Sequence, residues 1–357
     1  MLIVRSPVRI SFGGGGTDLP AYFENFGGAV LSATINKYFY TIVSQRADRH
    51  VQIISSDLRT CESWENIRDI NAKGHALEIP LAVLKELGRE VAADIFLASE
   101  IPPGTGLGSS ACVCVSVLHA MATYLEIPLT RNELAEKAFS IARHILEKPV
   151  GKQDEYASAF GGLNFMRFAP NGSTEVEPLN LAPNIMAALQ ARLMLFFIGG
   201  TRNSWSILQE QQEATRSGER VALESLHRIR ELANQMREIL ITGNLYKFGL
   251  LLHEGWENKK RISSMISNPA IDRMYGLARA NGATGGKITG AGGGGFMLLY
   301  CDEEKQPAVR NAFLEQGIKE MRFAFDFSGS RVLVNELFAD SDHVEDESAS
   351  TSLSKRR

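Results

Sequence analysis

The stretch of this chain best equipped for chemistry is Pro102-Pro103-Gly104-Thr105-Gly106-Leu107-Gly108-Ser109-Ser110-Ala111, followed by residues 112–125, which are apolar nearly all round. The apolar run predicts a buried helix, and the glycines predict a loop that opens it. At such a point several backbone N–H groups lack intrahelical acceptors and lie at the positive end of the helix dipole, an arrangement suited to a phosphate. Glycine lets the main chain approach an anion closely and adopt positive φ. Pro103, Gly104, Gly106, Leu107, Gly108, Ser109, Ser110 and Ala111 are therefore the expected phosphate cradle. The serine hydroxyls can hold phosphate oxygens, and Ser110 is the candidate ligand for Mg²⁺. The string is not G-x-x-x-x-G-K-[ST]. It also lacks the acidic residue that closes the following strand in the dinucleotide fingerprint.

The elements that must position this loop can be read from apolar periodicity. β-rich runs occur at residues 3–12, 29–35, 38–44, 51–55, 93–98, 163–168, 193–198, 296–301 and 331–337. Helical spacing begins after Thr130, where Glu133 completes a capping box and Leu134, Ala138, Ile141 and Ile145 form a stripe. It recurs over residues 220–242 with Leu226, Ile229, Leu232, Met236 and Ile239 on one face. Strands dominate the first 60 residues and helices dominate 203–281, which predicts an α+β fold over a strictly alternating one. The Pro- and Asn-rich residues 169–184 suggest a boundary, giving expected domains at 1–175 and 176–338. Residues 339–357 are polar and expected to be disordered.

Composition narrows the function classes. The chain has 357 residues, 44% hydrophobic and 22% charged, with a net charge of −3. No global basic field draws it to nucleic acid or to an anionic membrane. No apolar run reaches the roughly 20 residues of a membrane span, and the start of the chain does not read as a signal peptide. Cys61, Cys112, Cys114 and Cys301 are scattered, as expected of reduced thiols in a cytoplasmic protein. Association of identical chains stays open.

The string P-x-G-x-G-L-G-S-S-A resembles the phosphate-binding motif of the GHMP kinase superfamily. Residues 7–18 (PVRISFGGGGTD) resemble that family's first motif, and residues 287–296 (KITGAGGGGF) its third. The resemblance implies a two-domain GHMP kinase fold, with a mixed-sheet nucleotide-binding domain first and an α/β sandwich second. It also implies an enzyme that uses ATP and Mg²⁺ on a small molecule. Asp154 falls at the aspartate of the family's G-x-x-D, which faces the attacking hydroxyl and suits a base; its bland alternative is a solvated loop carboxylate. Arg9 matches the arginine of the first motif, and could hold Asp154 ionised or be an ordinary strand-edge charge. Asp18 resembles the sugar-binding aspartate, with a helix N-cap as the alternative. Where many members carry a metal-binding Glu, this chain has Ala142, so another carboxylate or waters must serve.

Further strings are similar to the D-glycero-D-manno-heptose 7-phosphate kinase branch: FGGGGTDL at 12–19, GKQDEYASAFGG at 151–162, HEGWENKK at 253–260 and GATGGK at 282–287. The implied reaction is phosphorylation of an anomeric hydroxyl for cell-envelope polysaccharide synthesis. The implied substrate-binding residues are Gly14, Gly15, Gly16, Thr17, Asp18 and Gly292. A substrate that already carries a phosphate calls for positive charge at its far end, and Lys152, Arg202 and Lys287 are the candidates. His253, Glu254, Lys259 and Lys260 fit a solvated helix face as well as a site, while Trp256 and Tyr275 read as core. Competing readings are another anomeric sugar kinase, for fucose or an N-acetylhexosamine, and a sensor of the same fold without turnover.

Overall fold

A computed structural model describes residues 1–67, 70–200 and 204–337. In chain order its elements are β1 (Leu2–Gly13), α1 (Pro20–Phe26), β2 (Gly28–Gln45), β3 (Val51–Ser55), β4 (Thr60–Trp64), α2 (Glu78–Leu87), β5 (Ala93–Ser99), α3 (Ser109–Tyr124), α4 (Arg131–Ser140) and α5 (Gln153–Phe160). There follow β6 (Leu163–Phe168), β7 (Thr174–Pro178), α6 (Pro183–Ala191), β8 (Leu193–Phe197), α7 (Ser204–Arg216), α8 (Arg220–Thr242) and α9 (Leu245–Lys260). The chain closes with α10 (Pro269–Ala280), β9 (Ala283–Ile288), β10 (Phe296–Cys301), α11 (Gln306–Glu315) and β11 (Arg331–Asn335).

Among the described residues, eight strands share one mixed sheet. Its order is β11-β1-β2-β5-β3-β4, with β6 and β7 continuing from the first half of β2. Only β3 and β5 run parallel within it. A second, antiparallel sheet has the order β8-β10-β9. The runs expected at 29–35 and 38–44 are one strand, β2. The polar Asn36 between them stays extended because Ala324 pairs with it, accepting its N–H and donating to its side-chain oxygen.

α3 lies on β1 and β2 and is buried on most of its circumference, with Cys112, Val115, Val117 and Leu118 fully covered. The capping box at Thr130 is present, with reciprocal Thr130 and Glu133 bonds starting α4. α8 buries the stripe read from its period, and Trp256 and Tyr275 are core. Three strands lack the β-branched runs that would have announced them. β4 and β7 are polar edge strands, and β9 is glycine-rich. A cut between residues 175 and 176 passes through β7, which pairs with β6, and β11 returns from the far end of the chain to β1. Residues 339–357 lie outside the described residues.

Candidate active site

Gly108 caps α3 in the left-handed region at φ +76°. Cys112 takes the Gly108 carbonyl, while the N–H groups of Ser109, Ser110 and Ala111 meet no acceptor among the described residues. Thus the expected row of free donors exists at the helix mouth. Leu107, by contrast, is fully buried; it serves through its carbonyl, which accepts the Arg9 N–H at 3.0 Å. The third glycine motif sits directly on this loop. A Cβ at Gly106 would fall 2.5 Å from the Thr289 carbonyl, and one at Gly295 would fall 2.3 Å from the Thr105 carbonyl. Gly292 does not reach the opening: its missing side chain makes room for Ile266, and Gly290 and Ala291 line the cavity instead.

Asp154 stands in the first turn of α5, and Asp18 puts it there. The buried Asp18 carboxylate accepts from the Gly16 N–H at 2.8 Å, from Gln153 Nε2 at 3.0 Å and from the Gln153 N–H at 3.3 Å. A Cβ on Gly151 would lie 2.1 Å from Asp18 Oδ2, so only glycine lets the loop close this tightly. Burial, and then the charge of Asp154, raise the Asp18 pKa. Asp18 is not a helix cap, since α1 starts at Pro20 behind Leu19. Arg9 reaches across from β1, where a bulge between Pro7 and Arg9 re-aims the strand. Its Nε donates to Asp154 Oδ1 and its Nη2 to Oδ2, both at 2.8 Å, while Nη1 donates to the Gly106 carbonyl at 2.7 Å. This two-pronged pair fixes the carboxylate in direction. It lies against the helix mouth: a Cβ on Gly108 would be 3.2 Å from Asp154 Oδ2.

Helix mouth and ion pair share one cavity of about 320 Å³. Ile79, Leu146, Trp205 and Leu208 give it an apolar wall, and the glycine loop with Ser109 and Ser110 gives it a donor-rich rim. Ala142 also lines it, from a π-helical turn at Ile141–Ile145 that extends α4. Glu155 is buried in the same wall, and its Oε2 has no hydrogen-bond partner. Desolvation and the charge of Asp154 hold its pKa well above the ordinary value. An orphaned, buried carboxyl oxygen is costly unless a cation or donor meets it. Ser110 and Glu155 together therefore fit a Mg²⁺ ion, which is content with one or two protein oxygens plus phosphates and water.

Residues 75–162 match the GHMP kinases N terminal domain and residues 223–319 match the GHMP kinases C terminal domain. The chain is 33% identical over 329 residues to the D-glycero-alpha-D-manno-heptose 7-phosphate kinase of Campylobacter jejuni, covering 91% of this chain and 95% of that protein. The chain belongs to the GHMP kinase family. It is an enzyme, a small-molecule phosphotransferase. A crystal structure of a D-glycero-D-manno-heptose 1-phosphate kinase from Bacteroides thetaiotaomicron superposes with a TM-score of 0.78 at 28% identity, covering 94% of this chain and 99% of that one. Lactococcus lactis galactokinase, complexed with galactose, has a TM-score of 0.72 at 19% identity, over 93% and 94% of the two chains, and shares the fold.

At the inner end of the kinase's cavity, several residues expected to bind substrate have other occupations. The Thr17 hydroxyl is fully buried, bonded to the Gly14 carbonyl at 2.8 Å and to both backbone groups of Ala29. Gly14 is glycine because a Cβ would overlap the Ala29 carbonyl at 1.9 Å. Gly16 does line the cavity, with Gln211 filling the space a side chain would need. Lys152 points away: its ammonium donates to Glu136 and to the Gly172 carbonyl, each at 2.6 Å, and lies near the rings of Phe139 and Phe23. Arg202 lies outside the described residues. Lys287 is buried within electrostatic reach of Arg9, Asp18 and Lys259, and burial drives its pKa well below the ordinary lysine value. Lys259, which periodicity left open between a solvated helix face and a site, is buried in the cavity wall with its pKa pushed down to about 8 by desolvation. The only sequence signal for it was the string 253–260.

Proposed function

We propose that this GHMP kinase transfers the γ-phosphoryl group of ATP to the anomeric hydroxyl of D-glycero-D-manno-heptose 7-phosphate, giving the 1,7-bisphosphate for cell-envelope polysaccharide synthesis in the cytoplasm. The observation that carries this reading is the Arg9–Asp154 pair pressed against Gly108, inside the cavity that the glycine loop rims. Phosphoryl transfer needs little covalent help from a protein and much positioning. The free amides of Ser109 to Ala111 suit the nucleotide phosphates. Asp154 then receives the proton as the sugar oxygen bonds to phosphorus and the β–γ bridge breaks to release ADP. An anomeric hydroxyl is more acidic than an ordinary alcohol, so a carboxylate fixed in direction by Arg9 is a sufficient base. The Arg9 guanidinium also stabilises the transferring group. Ser110 and Glu155 are the residues that would hold Mg²⁺, whose bound charge offsets that of the phosphate oxygens.

The names of the two heptose-kinase relatives differ over which phosphate the acceptor carries, and the cavity accepts the same question as a test. ATP turnover by the purified kinase should be followed by coupled assay with heptose 7-phosphate, heptose 1-phosphate, free heptose, fucose and an N-acetylhexosamine. Turnover highest on the 7-phosphate, with phosphate gained at C1 by NMR, is the expected result. A preference for fucose or for the 1-phosphate would replace this substrate. Hydrolysis of ATP with none of them would favour a sensor.

A further inference from the structure

We propose that the side-chain-free face of Gly15 is the seat of the acceptor's own phosphate, with Lys259 as its principal partner. This assignment rests on the sugar-phosphate kinase reading and goes beyond it by naming the subsite. Around the point where a Cβ of Gly15 would stand, Ser11 Oγ and Gln153 Nε2 lie at 3.5 Å and Lys259 Nζ at 3.9 Å. Unlike Gly14 and Gly16, Gly15 does not occupy the left-handed region, and backbone does not crowd it. Neither conformation nor packing therefore demands glycine here, and an open face remains. Two of the three groups around that face are unspent, Ser11 Oγ and Lys259 Nζ, while Gln153 Nε2 gives one of its two N–H groups to Asp18 and keeps the other. Ser11 Oγ is buried without a hydrogen-bond partner.

The charges point the same way. Lys259 and Lys287 are 5% and 6% exposed, and neither forms an ion pair or hydrogen bond among the described residues. Their neighbouring carboxylates are committed elsewhere: Asp18 to Gly16 and Gln153, Asp154 to Arg9. Buried ammonium groups are otherwise almost always paired. Lys152 shows the ordinary outcome in this same protein, since its buried ammonium is fully occupied. A phosphate monoester at Gly15 would accept from Lys259, the Ser11 hydroxyl and the remaining N–H of the Gln153 amide. A neutral sugar hydroxyl would leave both lysines without an anion.

Two substitutions test this. Lys259→Met should raise KM for heptose 7-phosphate by about tenfold or more, the usual worth of a charge-assisted bond, while KM for ATP moves by less than about twofold and Lys259→Arg recovers part of the loss. Gly15→Val fills the face with two methyl groups and should lower the preference for heptose 7-phosphate over free heptose by about tenfold as well. Isothermal titration of heptose 7-phosphate into the ATP-free kinase should show the same weakening in both variants. Equal losses of kcat/KM on phosphorylated and free heptose would overturn the subsite and give Lys259 a role in the transfer step. A rise confined to KM for ATP would assign Lys259 to the nucleotide. Should the unmodified kinase turn over neither acceptor, the kinase reading itself fails along with the subsite, a result separable from a subsite that is merely misplaced.

Discussion

The two ends of the cavity are made in different ways. The end proposed for the nucleotide is formed mainly by one uninterrupted stretch of chain, residues 103–111, with the turn at 289–295 packed on it. The end proposed for the acceptor is assembled from β1, the loop before α1, α5, α9 and β9, and each element contributes one or two side chains. A contiguous site follows from local backbone physics, whereas a dispersed one exists only once the fold has brought its parts together. Two lysines make the contrast concrete. Lys152 sits two residues from the base and is spent on Glu136 and Gly172, while Lys259, over a hundred residues away in the chain, faces the cavity.

The sharpest way to break this contrast is to remove the group at which the two ends meet. Asp154→Ala should lower kcat by about two to four decades and leave ATP affinity nearly intact by fluorescence titration; a variant keeping more than about a tenth of kcat would refute the base assignment. Next in size, Gly108→Val should abolish nucleotide binding, because its φ of +76° suits glycine and its Cβ would press on Asp154 and Arg9. Unchanged ATP affinity there would mean that the phosphate loop lies elsewhere. Smaller still is a pH effect that only the acceptor end should show. Lys259, with its pKa lowered to about 8 and with Asp18, Arg9, Asp154 and Lys287 as its charged neighbours, is cationic below that pH and neutral above it. KM for heptose 7-phosphate should therefore climb as pH rises through about 8, with KM for free heptose following much less. The sign for folding is opposite. The unfolded chain holds that proton up to the ordinary lysine value, so this group's contribution to stability rises with pH above about 8 in the ligand-free protein. Smallest, Lys152→Met should leave both KM values alone and cost about 1–3 kcal/mol of stability by urea titration, since it strips a charged partner from Glu136.

What could be read in the residues follows the same division. The glycine loop that opens α3, the buried α3 itself and the stripe of α8 are local patterns, and each stands where its period or its glycines indicated. Arg9 and Asp154 were legible as members of motifs, but the bulge at Pro7 that brings them together was not, because it depends on the register against β2. Lys152 misled because sequence adjacency to Asp154 says nothing of direction: the two side chains leave the start of α5 on different sides. Lys259 stayed undecided between a solvated face and a site because an amphipathic period does not tell which neighbour a charged residue will meet. β9 escaped notice for a related reason. Its glycines look like a loop, yet a Cβ on Gly285 would overlap the Gly249 carbonyl at 1.9 Å, so the bare strand is what lets α9, and with it Lys259, pack so close.

β11 also bears on how the molecule comes into being. It supplies an edge of the first sheet from the last described strand of the chain, and the residues before it stitch onto the same region. Ser330 donates from its N–H to the Ser158 carbonyl and shares side-chain bonds with Ser6 and His119, and the Asp326 carbonyl receives the Gly162 N–H. During synthesis, β1 must wait unpaired on one side until residues 324–335 have left the ribosome. Such an open edge is a place for wrong pairing. The kinase's first-made sheet is thus its last to be sealed, and truncation before residue 324 would injure the Arg9 strand rather than the distant end of the protein.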